Sequence, residues 1–367
     1  MPDMSRRKTL ALLGGGTIFA ATTASAAFLT TRTPHAALAP WDAAGSYADP
    51  RLRALSWGLL APNPHNRQPW EAELLADDRI AVWRDPERDL PVTDPYGRQL
   101  TIGMGCFLEL TRMAAAQEGL ATETVLYPEG EDGPVAVMTL APGGTPDPLF
   151  AHTLERRSHK EAFEARPVGP EADVLRTHAT IHRDDATFAA MRQVAHDAWM
   201  TEMHTPAALK ESIDLLRIGR AEIEANPDGI DLGGPLLESL ALAGILTREA
   251  ATDPGNAGTK ANIDATAEAI LGAPALVSQV TATNTRADQI EAGRRWLRLN
   301  LAATGAGLAL RPVSQALQEF SEMAEHYAEM HRLVAPDGGT VQMVGLLGYG
   351  TRTPRTPRWG LETRMRG

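Results

Sequence analysis

The sequence predicts an α+β chain built as two fused pseudo-repeats, each organised around one central helix. Three observations carry this expectation. Gly105 through Ala121 aligns without a gap with Gly293 through Ala309, so that Gly105 meets Gly293, Ala114-Ala115 meets Ala302-Ala303, and Gly119-Leu120-Ala121 meets Gly307-Leu308-Ala309. Apolar runs flank both segments: Ile80–Trp83 and Val135–Met138 around the first, Leu276–Val280 and Val341–Leu347 around the second. Pro142-Gly143-Gly144-Thr145-Pro146-Asp147-Pro148 is dense in turn formers and makes the natural joint. The first copy is placed at residues 49–150 and the second at 151–367.

In chain order, the N-terminus reads as an export signal rather than as fold. Arg6, Arg7 and Lys8 form a positive region, Leu10–Ala21 is weakly apolar, and Ala24-Ser25-Ala26 offers small residues for cleavage. Residues 1–26 are therefore expected to be a twin-arginine signal, with Thr9 where Phe is commoner, and the mature chain to be periplasmic or in the cell envelope. The loop Ala61–Trp70 follows. Pro62, Pro64 and Pro69 fix its backbone angles, and Asn63, Asn66 and Gln68 offer donors and acceptors. Its residues alone describe equally an ordinary connection before a strand and a cradle with an aromatic wall for a flat ligand.

The two matched segments are helical by propensity, and each closes on a Gly suited to a C′ cap. Small residues in mid-helix permit close approach of a packed neighbour. An insertion at about residues 200–270 lengthens the second copy. Within it Ala207–Ala225 is amphipathic, Asn226-Pro227-Asp228-Gly229 ends that stretch, and Asp231-Leu232-Gly233-Gly234-Pro235 opens another helix. Such an insertion is either extra packing or a lid over a site.

At 367 residues and 43% hydrophobic content, the chain can bury a real core. A formal net charge of −11 leaves no excess of Lys and Arg to neutralise phosphates along a strand, so no nucleic-acid partner is expected. Cys106, the one cysteine, allows neither an intramolecular disulfide nor a cysteine-based metal centre, and its apolar surroundings suit a core residue. No metal site is expected at His326 and His331, which are five apart and so lie on different helix faces. Once the signal is removed, no run is long and apolar enough for a membrane span.

Glu155-Arg156-Arg157-Ser158-His159-Lys160-Glu161 opens the second copy. Three cations and a hydroxyl at an expected helix entrance make an anion site with Ser158 as cap, and the same residues also describe a solvated charged turn. The C-terminal run carries Arg352, Pro354, Arg355, Pro357 and Arg358. Guanidinium forks held between prolines suit a phosphate better than a free end does.

The loop resembles the Ala-Pro-Ser-x-x-Asn-x-Gln-Pro-Trp loop of the FMN-dependent nitroreductase superfamily. It matches at Ala61, Pro62, Asn66, Gln68, Pro69 and Trp70, and departs at Asn63 and Pro64, where the family often has Ser. Arg156-x-Ser158-x-Lys160 is similar to the family's Arg-x-Ser-x-Arg/Lys string, and Leu347–Arg358 to its closing strand and basic tail. The likeness covers most of the chain after about residue 50. It implies a nitroreductase-like α+β fold, with two fused pseudo-repeats mimicking the family homodimer, each a central helix with a mixed, mainly antiparallel sheet. It further implies FMN as cofactor. Pro62, Asn63 and Asn66 would contact it from the loop, Arg156, Ser158 and Lys160 from the string, Ser314 and Gln315 after the second central helix, and Arg355 and Arg358 from the tail. The chemistry would be that of the isoalloxazine, with no protein group assigned as a catalytic acid.

The first copy keeps the loop but has no Arg-x-Ser-x-Lys string near Asp49–Ala54, and the second has the string but no second loop. In the family homodimer each flavin draws one motif from each subunit. The resemblance therefore implies one composite FMN site per chain, in a monomer that acts as a pseudo-dimer. The implied function is hydride or two-electron transfer from a small-molecule donor to a nitro, quinone or similar acceptor. The alternative is a flavin-binding storage or sequestration protein without turnover, favoured by a lid-sized insertion and by export away from nicotinamide donors.

Overall fold

The computed structural model describes residues 32–367, and the export signal expected at residues 1–26 lies outside the described residues. The first half runs α1 (His35–Ala43), α2 (Pro50–Gly58), β1 (Trp70–Leu74), β2 (Arg79–Arg84), α3 (Arg98–Gln117), β3 (Leu120–Leu126) and β4 (Ala136–Pro142). The second half begins with β5 (Thr180–His182), α4 (Ala186–His204), α5 (Pro206–Asp214), β6 (Leu216–Ile218), α6 (Gly219–Ala225) and β7 (Ile230–Leu232). It continues with α7 (Pro235–Leu242), α8 (Arg248–Ala251), α9 (Ala257–Gly272), β8 (Ala275–Thr281), α10 (Arg286–Gly305), β9 (Ala309–Pro312), α11 (Ala324–Val334) and β10 (Thr340–Gly348).

Each half holds one four-stranded sheet, in the orders β1-β2-β4-β3 and β5-β8-β10-β9. All pairs within these two sheets are antiparallel. The expected α+β class is present, and the parallel component is small: it consists of β6 with β7 and isolated bridges, one of which joins Ala72 of β1 to Met365 in the C-terminal tail. The four runs read as strands from the sequence fall in β2, β4, β8 and β10.

The two long helices cross at the centre. Each is twenty residues long, begins seven residues before its matched glycine and ends twelve after it. A Cβ added at Gly105 would lie 3.0 Å from the Gly293 Cα, and one at Gly293 would lie 2.8 Å from the Gly105 Cα. The carbonyl oxygens of Ile290 and Ile102 press on these two glycines even more closely. The backbones are therefore in direct contact, and a single hydrophobic core runs through both halves around them, from Leu55, Ile80 and Phe107 to Trp296, Leu301 and Leu347. A Thr285–Asp288 capping box closes the N-terminal end of α10.

The stretch Ala207–Ala225 is not one helix. The chain leaves α5 at Asp214, pairs β6 with β7, and turns at Gly219, where φ is +76°, into α6. The insertion has its own small core of Met203, Leu209, Ile213, Leu216, Ala251 and Ile263, so it packs as a subdomain. It is also latched to the first half. Asp228, 5% exposed, pairs with Arg67, Arg88 and Arg217 at 3.3, 2.6 and 2.7 Å. Gln68 Nε2 donates to the Pro227 carbonyl at 2.7 Å.

The glycine crossing is testable. Gly105→Ala and Gly293→Ala should each lower the unfolding free energy by about 3 kcal/mol, because neither backbone can retreat without opening the core. Urea unfolding measures this, and an unchanged midpoint in either variant would show that the backbones do not touch.

Candidate functional site

A cleft with two connected lobes opens where the halves meet. The lobes have volumes of about 210 and 190 Å³ and share Pro62, Asn63, His65, Ser158 and Pro312. The loop reaches this position because it lies directly on α3: a Cβ added at Gly103 would fall 3.1 Å from both the Asn63 Cβ and the Pro64 Cδ. His65, Asn66 and Gln68 all take positive φ, at 46°, 52° and 50°, which residues with side chains rarely adopt. Hydrogen bonds hold them there. Asn63 Oδ1 accepts from the Gln68 N–H at 2.7 Å, and Gln68 Oε1 accepts from the Trp359 N–H at 2.9 Å. Packing lowers the His65 pKa, opposed by the Glu211 carboxylate.

One lobe is basic. Arg156 and Arg358 are each 3% exposed, and Arg157 stacks 4.8 Å over the ring of Trp41. Arg156 Nη2 donates to the Leu60 carbonyl at 2.9 Å, and Arg157 Nε to the Thr353 carbonyl at 3.1 Å. Arg358 donates to the Ala61 carbonyl at 3.2 Å, to Thr356 Oγ1 at 2.8 Å, and to Asn66 Oδ1. Among the described residues, all hydrogen bonds of these three side chains end on neutral oxygens, and the Nε of Arg156 and of Arg358 is buried without a partner. Burial, and then neighbouring arginines, pushes Arg358 down to about 9 and Arg156 and Arg157 to about 10. A guanidinium nevertheless keeps its proton, so the push is felt as buried positive charge that a bound anion would relieve.

The other lobe is apolar with an amide edge. Ile102 and Cys106 of α3, Trp296 of α10 and Met343 of β10 supply its apolar surface. Gln99, Ser314, Gln315 and Gln318 supply the polar part, and Ser314 Oγ donates to Gln99 Oε1 at 3.1 Å. Cys106 is 1% exposed and its thiol, which burial pushes up to about 12, donates to the Gly293 carbonyl at 3.1 Å. It is a core residue, as expected, that also backs the cleft.

The structure brings Pro62, Asn63, Asn66, Arg156, Ser158, Lys160, Ser314, Gln315 and Arg358 to these two lobes. Arg355 is not among them: it pairs with Asp42 at 2.7 Å and lines a neighbouring hollow. Lys160 is exposed and pairs with Asp231 of the insertion at 2.9 Å. The helix expected to open at Ser158 does not form. The segment stays irregular because the His159 N–H is drawn to the Leu310 carbonyl of β9, at 2.9 Å. Trp70 is not an aromatic wall: it is fully buried and stacks on Phe107 at 4.8 Å between centroids. Trp41 and Trp296 occupy the cleft instead, and no local signal in the sequence marks either one. Arg157 was legible as part of the charged string, and His65 as part of the loop.

The uncompensated charge predicts an effect of simple anions. Inorganic phosphate should raise the Tm of the protein, with a free energy of about 2.7 kcal/mol at a hundredfold excess over its Kd. Arg156→Gln and Arg358→Gln should each remove most of that gain. A wild-type Tm indifferent to phosphate would show that the chain compensates the charge itself.

No family model matches the chain. A Mycobacterium tuberculosis protein named "Putative NAD(P)H nitroreductase" is 24% identical over 314 residues, which is 83% of this chain and 87% of that protein. Another from the same organism, "Putative NAD(P)H nitroreductase acg", is 35% identical over 79 residues, 22% of this chain and 24% of its own. Among solved structures, an FMN-dependent nitroreductase from Mycobacterium smegmatis, crystallised with NADPH, aligns with a TM-score of 0.34 at 19% identity, over 60% of this chain and 97% of that one. The names of the sequence relatives support a nitroreductase-like family for this chain.

Proposed function

We propose that this chain is an FMN-binding oxidoreductase of nitroreductase type with one composite flavin site in the cleft. The observation that carries this reading is the cluster of Arg156, Arg157 and Arg358, whose side-chain hydrogen bonds among the described residues all end on neutral oxygens, at one end of a cleft whose other end is apolar and amide-edged. A molecule with an anionic end and a flat polar-edged ring meets both demands at once. Arg156, Arg157 and Arg358 would hold its phosphate, and Pro62, Asn63 and Ser158 its middle. Trp296, Ser314 and Gln315 would face its ring.

When bound, FMN supplies the two-electron chemistry. The chain orients the ring with the amide edge of the lobe and excludes water with Trp296 and Met343. The relatives' names make NAD(P)H the proposed donor, with a nitro or quinone compound as acceptor. The equal placement of α3 and α10 about their glycines supports a duplicated origin, with copies at 49–150 and 151–367. One observation favours a second reading, flavin held without turnover: Gly229, Ile230 and Asp231 of the latched insertion wall the basic lobe.

Purified protein should contain one FMN per chain, and two tightly held flavins would overturn the composite site. Asn66→Ala should weaken FMN retention by about tenfold, since it removes a ligand that orients Arg358. Anaerobic addition of NADPH, followed by a nitroaromatic, separates the two readings: bleaching and reoxidation support turnover, and a flavin that stays oxidised supports storage.

A further inference from the structure

Behind the amide edge of the apolar lobe stands an acid that the proposed chemistry leaves unused. Glu202, near the end of α4, is 1% exposed, and Gln318 Nε2 donates to its Oε1 at 3.1 Å. Gln318 is itself 3% exposed and lines the lobe beside Gln315. The other two oxygens of this hydrogen-bonded pair, Glu202 Oε2 and Gln318 Oε1, are both buried without a partner. If Glu202 is ionised, both are acceptors and neither can satisfy the other. Turning the amide over exchanges the contacts but leaves two acceptors. A single proton on Glu202 would make one orphan a donor able to serve the other, so that one ionisation state answers two buried unsatisfied groups together.

We propose that Glu202 is a positioning residue, held as a neutral acid, that locks the Gln318 amide in a two-point acid–amide pair and thereby fixes the wall of the ring lobe. Its role in that lobe rests on the flavin reading above; its protonation does not.

The surroundings agree. Burial pushes Glu202 above the usual carboxylate range, against the amides of Gln318 and Gln315, and the Glu211 carboxylate on α5 adds to the push. On α11, His326 is engaged with Thr201 Oγ1 at 2.9 Å. On α9, Lys260 and Asp264 pair with each other at the surface. Next to Gln318, Glu319 is taken by Arg98 at 3.3 Å. The short turn Ser321–Met323 carries Glu322, which is exposed, and β8 carries no charge. None of these groups is a cation paired with Glu202, so ionising it would place uncompensated negative charge behind the lobe.

Infrared difference spectra of the full chain, wild type minus Glu202→Gln, test the protonation directly. At a pH just above the ordinary carboxylate range, a protonated-carboxyl C=O stretch should be present in the wild type and absent from the variant, and Gln318→Met should shift it. Its absence from the wild type overturns the proposal. A folded-state carboxyl pKa above the unfolded value makes stability fall as pH rises between the two values, and the loss persists above them. Wild-type Tm should therefore fall relative to Glu202→Gln as pH rises from the ordinary carboxylate range to the folded value, and then run parallel to it. FMN retention, a property of the folded state, should hold across that window and fall about tenfold as pH rises through the folded value in the wild type, and stay flat in Glu202→Gln. Parallel retention curves, or a chain that shows the infrared band but takes up no FMN, overturn the role in the ring lobe. The second of these outcomes also sinks the flavin reading and leaves the acid–amide pair standing.

Discussion

The contact between the Gly105 and Gly293 backbones is the constraint on which the rest of this structure depends. At this crossing each helix presses a carbonyl, from Ile102 or Ile290, onto the glycine of the other. A side chain at either position would push the two long helices apart, and the core that runs through both halves would open with them. The cleft follows from the same contact. Gly103, two residues before the crossing, lies under Asn63 and Pro64, and Trp296, three residues beyond Gly293, lines the apolar lobe. Fixing the crossing therefore fixes the distance between a loop of the first half and the wall of the second.

Two arginine clusters in the molecule show opposite solutions to the burial of charge. Arg67, Arg88 and Arg217 converge on the buried Asp228, and the chain supplies the counter-charge that their burial demands. That cluster holds the insertion against the loop. Arg157 and Arg358 pack over Trp41, and their hydrogen bonds and those of Arg156 end on carbonyl, hydroxyl and side-chain amide oxygens. Neutral oxygens orient a guanidinium without cancelling its charge. The first cluster finds its counter-charge within the chain, and the second is where the proposed ligand's phosphate would supply it.

The strands legible in the sequence and those missed divide along one line. β2, β4, β8 and β10 are the inner strands of their sheets, and the burial that makes them apolar makes them readable. β1, β3, β5 and β9 are the four edges, where one side has no neighbouring strand and polar residues alternate into the pattern, as in Leu120-Ala121-Thr122-Glu123-Thr124. The site divides similarly. Arg156, Ser158 and the Pro62–Asn66 loop were legible because residue type and spacing mark them. Arg355 and Arg358 carry the same signal in the same Pro-Arg tail, yet one turns outward to Asp42 and the other inward to Asn66. In an irregular segment no period assigns a side chain to a face.

The sequence by itself determined the two glycine-bearing central helices, the inner strands and the two polar motifs of the cleft, because each is written in local spacing, propensity or residue type. Only the tertiary structure decided which aromatics stand in the cleft, Trp41 and Trp296 rather than Trp70, and which cations are left without a counter-charge. Burial and pairing are properties of what the rest of the chain brings alongside a residue. Glu202 is the clearest case: nothing near it in sequence announces an acid, and its surroundings come from Gln315 and Gln318, more than a hundred residues away.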